Sequence, residues 1–72
     1  MTISQHAIQR FQERVTYETP DFIRLFIESD IRSSTFLYSV ENVATLECNG
    51  IIYIVDYNNT KNPFVRTVYL AN

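Results

Sequence analysis

Apolar residues recur every three or four positions in the first half of the chain, which is the spacing of an amphipathic helix. This spacing predicts two helices, over residues 4–15 and 20–32. Thr19 and Pro20 mark the start of the second helix, as an N-cap residue followed by a proline at the first helical position. The predicted apolar faces contain Ala7, Ile8, Phe11 and Val15 in the first helix, and Phe22, Ile23, Phe26, Ile27 and Ile31 in the second.

After residue 34 the apolar repeat changes from helical to alternating, which is typical of β-strands. Strands are predicted over residues 35–40, 43–48, 51–57 and 64–70. Asn49 and Gly50 predict a two-residue type I′ hairpin between the second and third of these, because both central positions of that turn need positive φ. The unbroken apolar run from Ile51 to Val55 is typical of a central strand that is covered on both faces or lies in an interface.

This order of elements predicts a single α+β domain over residues 1–72. We expect two N-terminal helices packed on one face of a four-stranded antiparallel meander sheet. The apolar fraction of 46% is typical of a folded domain and not of a disordered chain. A chain of 72 residues buries only about 60% of its unfolded surface, so a homodimer would add to a small core.

The supply of cysteine and histidine limits the chemistry that the chain can perform. The chain has one cysteine, Cys48, and one histidine, His6, too few for an internal disulfide or a four-ligand zinc site. We therefore expect neither metal nor cofactor, and we interpret Cys48 as a small core residue. No apolar run reaches the ~20 residues of a membrane span, and the N-terminus lacks a signal-peptide pattern, so we expect a cytoplasmic protein.

The first helix carries His6, Arg10 and Arg14 at intervals of four residues, and we call these three the helix-one stripe. Residues four apart share a helical face, so the stripe runs beside the apolar face. The net charge is −2, with +1 in residues 1–17 and −3 in the remainder, which would place a phosphate-binding surface on this helix. Arginine suits forked hydrogen bonds to phosphate and equally suits partly buried ion pairs. The plainer interpretation is that the arginine stems cover the core while their charged ends stay in water.

Two short motifs lie in the first helix and in the last strand. They are His6-Ala7-x-x-Arg10-x-x-x-Arg14 and Arg66-Thr67-Val68-Tyr69. With the order of elements, they resemble the small RelE-like toxin domains of the barnase, EndoU, colicin and RelE ribonuclease fold. The resemblance implies a metal-independent endoribonuclease that cleaves RNA by attack of the 2′-hydroxyl. It also implies chemical roles for His6, Arg10 and Thr67.

Cleavage of RNA without metal requires proton carriers and cations that stabilise the developing phosphorane charge. The resemblance gives proton transfer to His6, phosphorane stabilisation to Arg10 and orientation of the scissile phosphate to Thr67. A second proton carrier must be another residue, and Tyr69 and Tyr17 are candidates as acids, since free tyrosine has a pKa of about 10.

The resemblance also implies two RNA-phosphate contacts, Arg14 in the first helix and Arg66 in the last strand. Strict alternation places Arg66 and Thr67 on opposite faces of that strand. Both can serve one site only if the strand bends.

Two other functions are compatible with the same residues. The chain could be a non-enzymatic, acidic interaction protein of the phage-inhibitor or antitoxin type, with its eight acidic residues matched to the basic cleft of a nucleic-acid-binding partner. It could also be a structural homodimer formed through the 51–55 strand or an adjacent edge. The partner is thus RNA, including ribosome-associated RNA, for the ribonuclease, and an antitoxin or a basic target protein for the inhibitor. A concave pocket holding the helix-one stripe and Thr67 favours the first, and one contiguous acidic patch favours the second.

Overall fold

The computed structural model describes residues 1–72 and contains two helices and five strands. In chain order these are β1 (Thr2–Ile3), α1 (Gln5–Arg14), α2 (Pro20–Arg32), β2 (Thr35–Val40), β3 (Val43–Cys48), β4 (Ile51–Asp56) and β5 (Phe64–Leu70). The strands form one sheet in the order β1-β5-β4-β3-β2. Neither helix is long and apolar enough to cross a membrane.

The prediction of a four-stranded, wholly antiparallel sheet is wrong, because the N-terminus adds a fifth strand that pairs in parallel with β5. The Thr2 N–H donates to the Pro63 carbonyl at 2.8 Å, and the Ser4 N–H donates to the Val65 carbonyl at 3.0 Å. A strand of two residues is too short to show an alternating pattern, so the sequence contains no signal for it. The sheet is therefore mixed, with β2 to β5 antiparallel and β1 parallel.

Both helices begin at a side-chain cap. The Ser4 Oγ accepts a hydrogen bond from the Ala7 N–H at 2.9 Å, and the Thr19 Oγ1 accepts one from the Phe22 N–H at 3.3 Å. These oxygens satisfy backbone donors that have no partner within the first turn of a helix. Pro20 occupies the first position of α2, where its missing N–H costs nothing.

The β3–β4 hairpin turns through Asn49 and Gly50. Cys48 pairs with Ile51, and φ is 51° at Asn49 and 85° at Gly50, so both central residues have the positive φ of a type I′ turn. The Glu47 carboxylate accepts the Gly50 N–H at 2.8 Å. This turn sets the register of the two strands.

The core lies between the two helices and one face of the sheet, which we call the inner face. α1 packs against β5 and α2 packs against β3, while β2 lies beyond both helices. The opposite, outer face of the sheet has no helix on it. The core residues are Ala7, Ile8, Phe11, Ile23, Ile27, Ala44, Leu46, Cys48, Ile51, Tyr53, Val55, Val65 and Val68.

One polar contact crosses this core and ties α2 to β4. The Tyr53 hydroxyl donates to Asp30 Oδ2 at 2.6 Å, and both residues are buried. Burial raises the pKa of the Tyr53 phenol, and the hydrogen bond and negative charge of Asp30 raise it further. The phenol thus stays protonated and remains a donor to the carboxylate.

Replacing Tyr53 by Phe should lower the free energy of unfolding by about 1–3 kcal/mol, because the buried Asp30 carboxylate loses its donor. Urea denaturation followed by circular dichroism measures the change. Tyr57→Phe is the matched control, since Tyr57 is half-buried and its hydroxyl makes no hydrogen bond within the chain. Equal losses in the two variants would contradict a special role for the Asp30 contact.

Candidate functional site

The helix-one stripe lies on α1, and its three side chains have different surroundings. His6 is exposed in the first turn of α1. Arg10 forms an ion pair with Glu13, with 2.7 Å between Nη1 and Oε1, and both side chains are only partly buried. An exposed pair of this kind contributes little to stability. It nevertheless places a carboxylate beside the cation that the resemblance assigns to phosphorane stabilisation.

Arg14 contacts the backbone of the sheet. Its Nη1 donates to the Val68 carbonyl of β5 at 3.3 Å. Ser4 acts on the same edge, because its Oγ donates to the Arg66 carbonyl at 2.8 Å. β1 pairs with β5 only as far as Val65, so these two side chains satisfy carbonyls that would otherwise lie open at the edge. The guanidinium predicted to contact phosphate therefore closes the β5 edge.

Thr67 and Tyr69 lie on the outer face of the sheet. They pair with Ile54 and Ile52 of β4, which alternate with the buried residues of the inner face. α1 packs against the inner face of β5. The sheet thus separates Thr67 and Tyr69 from the helix-one stripe, and the structure does not bring the two halves of the predicted catalytic set into one pocket.

A β-bulge in β5 changes where Arg66 points. The ladder skips Arg66, because Val65 and Thr67 pair with consecutive residues of β4. The Arg66 guanidinium contacts Asp56, which follows the inner-face residue Val55 and so belongs to the outer face. The bulge supplies the bend that the sequence does not reveal, and Arg66 and Thr67 share the outer face.

Asp56 is the acceptor at the centre of a small polar cluster. Its carboxylate accepts from the Asn58 backbone N–H at 2.8 Å, from Asn58 Nδ2 at 2.7 Å and from Arg66 Nη2 at 3.0 Å. The Asn58 backbone N–H is the largest cause that lowers the pKa of Asp56, followed by the Asn58 side chain and Arg66. Arg66 is therefore already paired with an anion.

The eight acidic residues are spread along the chain, and several of them already have partners. Glu13, Asp21 and Asp56 are in ion pairs, and Asp30 is buried against Tyr53. The other four lie in four different segments, which are the loop between the helices, α2, the β2–β3 turn and β3. Half of the acidic residues are therefore already paired or buried, which leaves four for the basic cleft of a partner.

Five uncharged residues near the middle of the outer face form a surface that we call the outer-face patch, which is bordered by the charged residues Glu47, Asp56 and Arg66. Thr45 and Ile52 are each only 6% exposed although no helix covers them, because neighbouring side chains shield them. Tyr69 is 37% exposed, and Ile54 and Thr67 are half-buried. The unbroken apolar run of β4 was the sequence signal for this surface, since it places isoleucine on both faces of a central strand.

The surface has two shallow grooves, and neither contains a residue of the predicted site. One is lined by Met1, Glu28 and Arg32. The other is lined by Phe36, Ser39, Glu41, Asn42, Ala44 and Tyr57, on the inner face beside β2. No group of three or more histidine, cysteine or acidic side chains could hold a metal ion.

Replacing Asp56 by Asn should lower the free energy of unfolding at pH 7. It should also make that free energy less dependent on pH in the acidic range. The pKa of Asp56 is lowered in the folded protein, so the ionised carboxylate stabilises the fold above its ordinary pKa of about 4 and this contribution is lost as the pH falls. Urea midpoints measured from pH 7 to about pH 3 test this. Asp21→Asn is the control, because Asp21 is an exposed partner of Arg24. Parallel curves for wild type and Asp56→Asn would contradict the assignment.

The likeness to RelE-like toxins depends on the motifs of the first helix and the last strand, whose side chains lie on opposite sides of the sheet. The comparisons with known proteins add nothing to it. The chain matches no protein-family model, no curated protein and no solved structure.

Proposed function

We propose that the chain is a non-enzymatic protein-binding domain and that the outer-face patch is its binding surface. The observation that carries the proposal is that no helix covers this face, and that its centre is made of uncharged side chains, of which Tyr69, Ile54 and Thr67 are partly exposed. The centres of protein interfaces are depleted in charge and enriched in aromatic residues. This patch contains no charged residue, and its most exposed side chain is the aromatic Tyr69.

The electrostatics of the outer face favour a protein partner over RNA. Binding to nucleic acid relies on cations that neutralise phosphates. Arg66, the cation beside the patch, is paired with Asp56 at 3.0 Å, and Arg14 contacts a backbone carbonyl on the β5 edge. The partner is therefore a protein with its own neutral, apolar surface, and a basic cleft is a poorer match.

The placement of the titratable groups also favours binding over catalysis. A metal-independent ribonuclease needs a proton carrier and cations that converge on one phosphate. Here His6 and Arg10 lie on α1, while Thr67 and Tyr69 lie across the sheet. The ribonuclease hypothesis would need these groups to meet around the β5 edge, which Ser4 and Arg14 cover.

Purified protein incubated with total RNA in EDTA should leave the RNA intact, and His6→Ala should give the same result. The exposed position of His6 means that this replacement should not affect folding. Mapping the RNA ends after incubation provides the measurement. Cyclic phosphate ends that appear with wild type and vanish with His6→Ala would contradict the proposal and support the ribonuclease.

Replacing Tyr69 by Ala should weaken binding of a protein partner at least ~10-fold, because aromatic residues in an interface centre carry much of the binding energy. Partners captured from a cell extract are identified, purified and titrated directly. Tyr17→Ala is the matched control, since Tyr17 is 82% exposed in the loop between the helices and lies outside the patch. A partner that binds both variants as tightly as wild type would contradict the role of the outer-face patch.

A further inference from the structure

The two edges of the sheet differ in how they are protected. The β5 edge is covered by β1 and by the side chains of Ser4 and Arg14. The β2 edge is bare, because all six residues of Thr35–Val40 are exposed and no element lies beyond them. Natural edge strands are often protected by a lysine, another charge, a proline or a β-bulge, and this strand has a bulge at Leu37 but neither a charge nor a proline. Its unpaired backbone groups are therefore a template for another strand.

The side chains of β2 also expose a large apolar surface for a single strand. The exposed fractions are 59% for Phe36, 48% for Leu37, 56% for Tyr38 and 67% for Val40. Since a buried aromatic side chain hides about 150–250 Å², these four expose roughly 400 Å² per copy. A standard interface buries about 800 Å² per partner, so an interface built from this strand is below the standard size and corresponds to a weak dimer.

If β2 pairs antiparallel with a copy of itself, the side chains that face each other lie on the same face of the sheet. Thr35, Tyr38 and Val40 pair with outer-face residues of β3, while Phe36 and Ser39 pair with Leu46 and Ala44 of the core. Leu37 is the extra residue of a β-bulge between Phe36 and Tyr38. The ladder positions therefore read outer, inner, outer, inner, outer, with Tyr38 at the centre. Antiparallel strands require residues that face each other to lie on the same side of the sheet, and this strand meets that condition with itself.

We propose that β2 is a dimerisation strand, which pairs antiparallel with β2 of a second copy of this chain about a twofold axis beside Tyr38. In this register Tyr38 faces Tyr38, Phe36 faces Ser39 and Thr35 faces Val40 of the second copy. The bulge at Leu37 lies opposite a regular stretch of the other strand on both sides of the axis, where it interrupts the ladder locally and leaves the pairs on either side in place. The two sheets become one sheet of ten strands, and the outer-face patches stay accessible.

The groove beside β2 supplies a place for the partner's ring. Phe36, Ser39, Ala44 and Tyr57 line this groove on the inner face, where the small Ser39 side chain leaves space next to aromatic walls. The Phe36 ring of the second copy lies across from Ser39 in the proposed register and enters this space. The contact occurs twice, because the symmetry repeats it.

Charges at the two ends of β2 favour a second copy in the antiparallel direction. Arg32 precedes the strand and Glu41 follows it, and neither belongs to an ion pair within the chain. Along one chain the strand holds them apart by about 20 Å. Antiparallel pairing brings the Glu41 end of each copy to the Arg32 end of the other, whereas parallel pairing would bring like charges together.

Sedimentation equilibrium of the full chain over roughly 1–500 μM tests the dimer, a range suited to an interface of small area. Wild type should dimerise, and Tyr38→Lys should raise the dimer dissociation constant at least ~10-fold, because it places two ammonium groups across the axis. Leu25→Lys is the control, since Leu25 is 68% exposed on α2 and should leave the dimer unchanged. Circular dichroism confirms that both variants fold. A wild-type protein that stays monomeric throughout, or a dimer that Tyr38→Lys leaves intact, overturns the proposal.

Disulfide trapping tests the register. Facing residues of antiparallel strands have Cβ atoms about 4.5–5.5 Å apart, near the separation that a disulfide needs. With oxidised glutathione, Tyr38→Cys should form a cross-linked dimer at least ~10-fold faster than Val40→Cys, which faces Thr35 instead of its own counterpart. Wild type controls for Cys48, which is buried. Equal rates for the two variants, or faster trapping of Val40→Cys, overturn the register.

A charge exchange tests the direction of the strands. Glu41→Arg should weaken the dimer by repulsion from Arg32 of the second copy, and adding Arg32→Glu to the same chain should restore the affinity. The two positions are too far apart within one chain for an intramolecular rescue. Loss of affinity without rescue in the double variant overturns the antiparallel arrangement.

Discussion

The area that two short helices can cover is the constraint on which this structure depends. α1 and α2 have 10 and 13 residues, so they are only about 15 and 20 Å long. They bury the inner faces of β3, β4 and β5 and leave the inner face of β2 and the whole outer face without a second layer. The exposed aromatic residues of β2 and the outer-face patch are consequences of this shortage of cover.

The N-terminal segment decides how the β5 edge is closed. Ser4 makes three contacts at once: its N–H donates to Val65, its Oγ caps α1, and the same Oγ donates to the Arg66 carbonyl. Arg14 extends the cover along the edge by donating to Val68. These contacts give a structural role to a region whose spacing of basic residues suggests phosphate binding, and they leave β2 as the exposed edge of the sheet.

The two interaction surfaces follow from different physical features. The outer-face patch is made of uncharged side chains, and Tyr69 is the most exposed of them. Such a patch suits contact with a neutral surface of another protein. The β2 edge combines unpaired backbone groups with apolar side chains on both faces, which suits another strand. A chain of 72 residues has a small core, so burial of either surface would add to its stability.

The features that depend on neighbours along the chain could be predicted from the sequence. Thr19 and Pro20 begin α2, Asn49 and Gly50 make the hairpin turn, and the two helical repeats place Phe11 and Ile27 in the core. Each of these follows from backbone conformation or from periodicity within a few residues.

The features that join distant parts of the chain could not be predicted in this way and are seen only in the folded molecule. β1 forms because the Thr2 N–H donates to the Pro63 carbonyl, 61 positions along the chain. The bulge at Arg66 keeps the inner-face residues of β5 aligned with those of β4. The same holds for the site, because a motif cannot show that α1 and Thr67 lie on opposite sides of a sheet. Short strands, bulges and ion pairs such as Arg66–Asp56 leave no periodic trace, since the residues that form them are close in space and far apart in sequence.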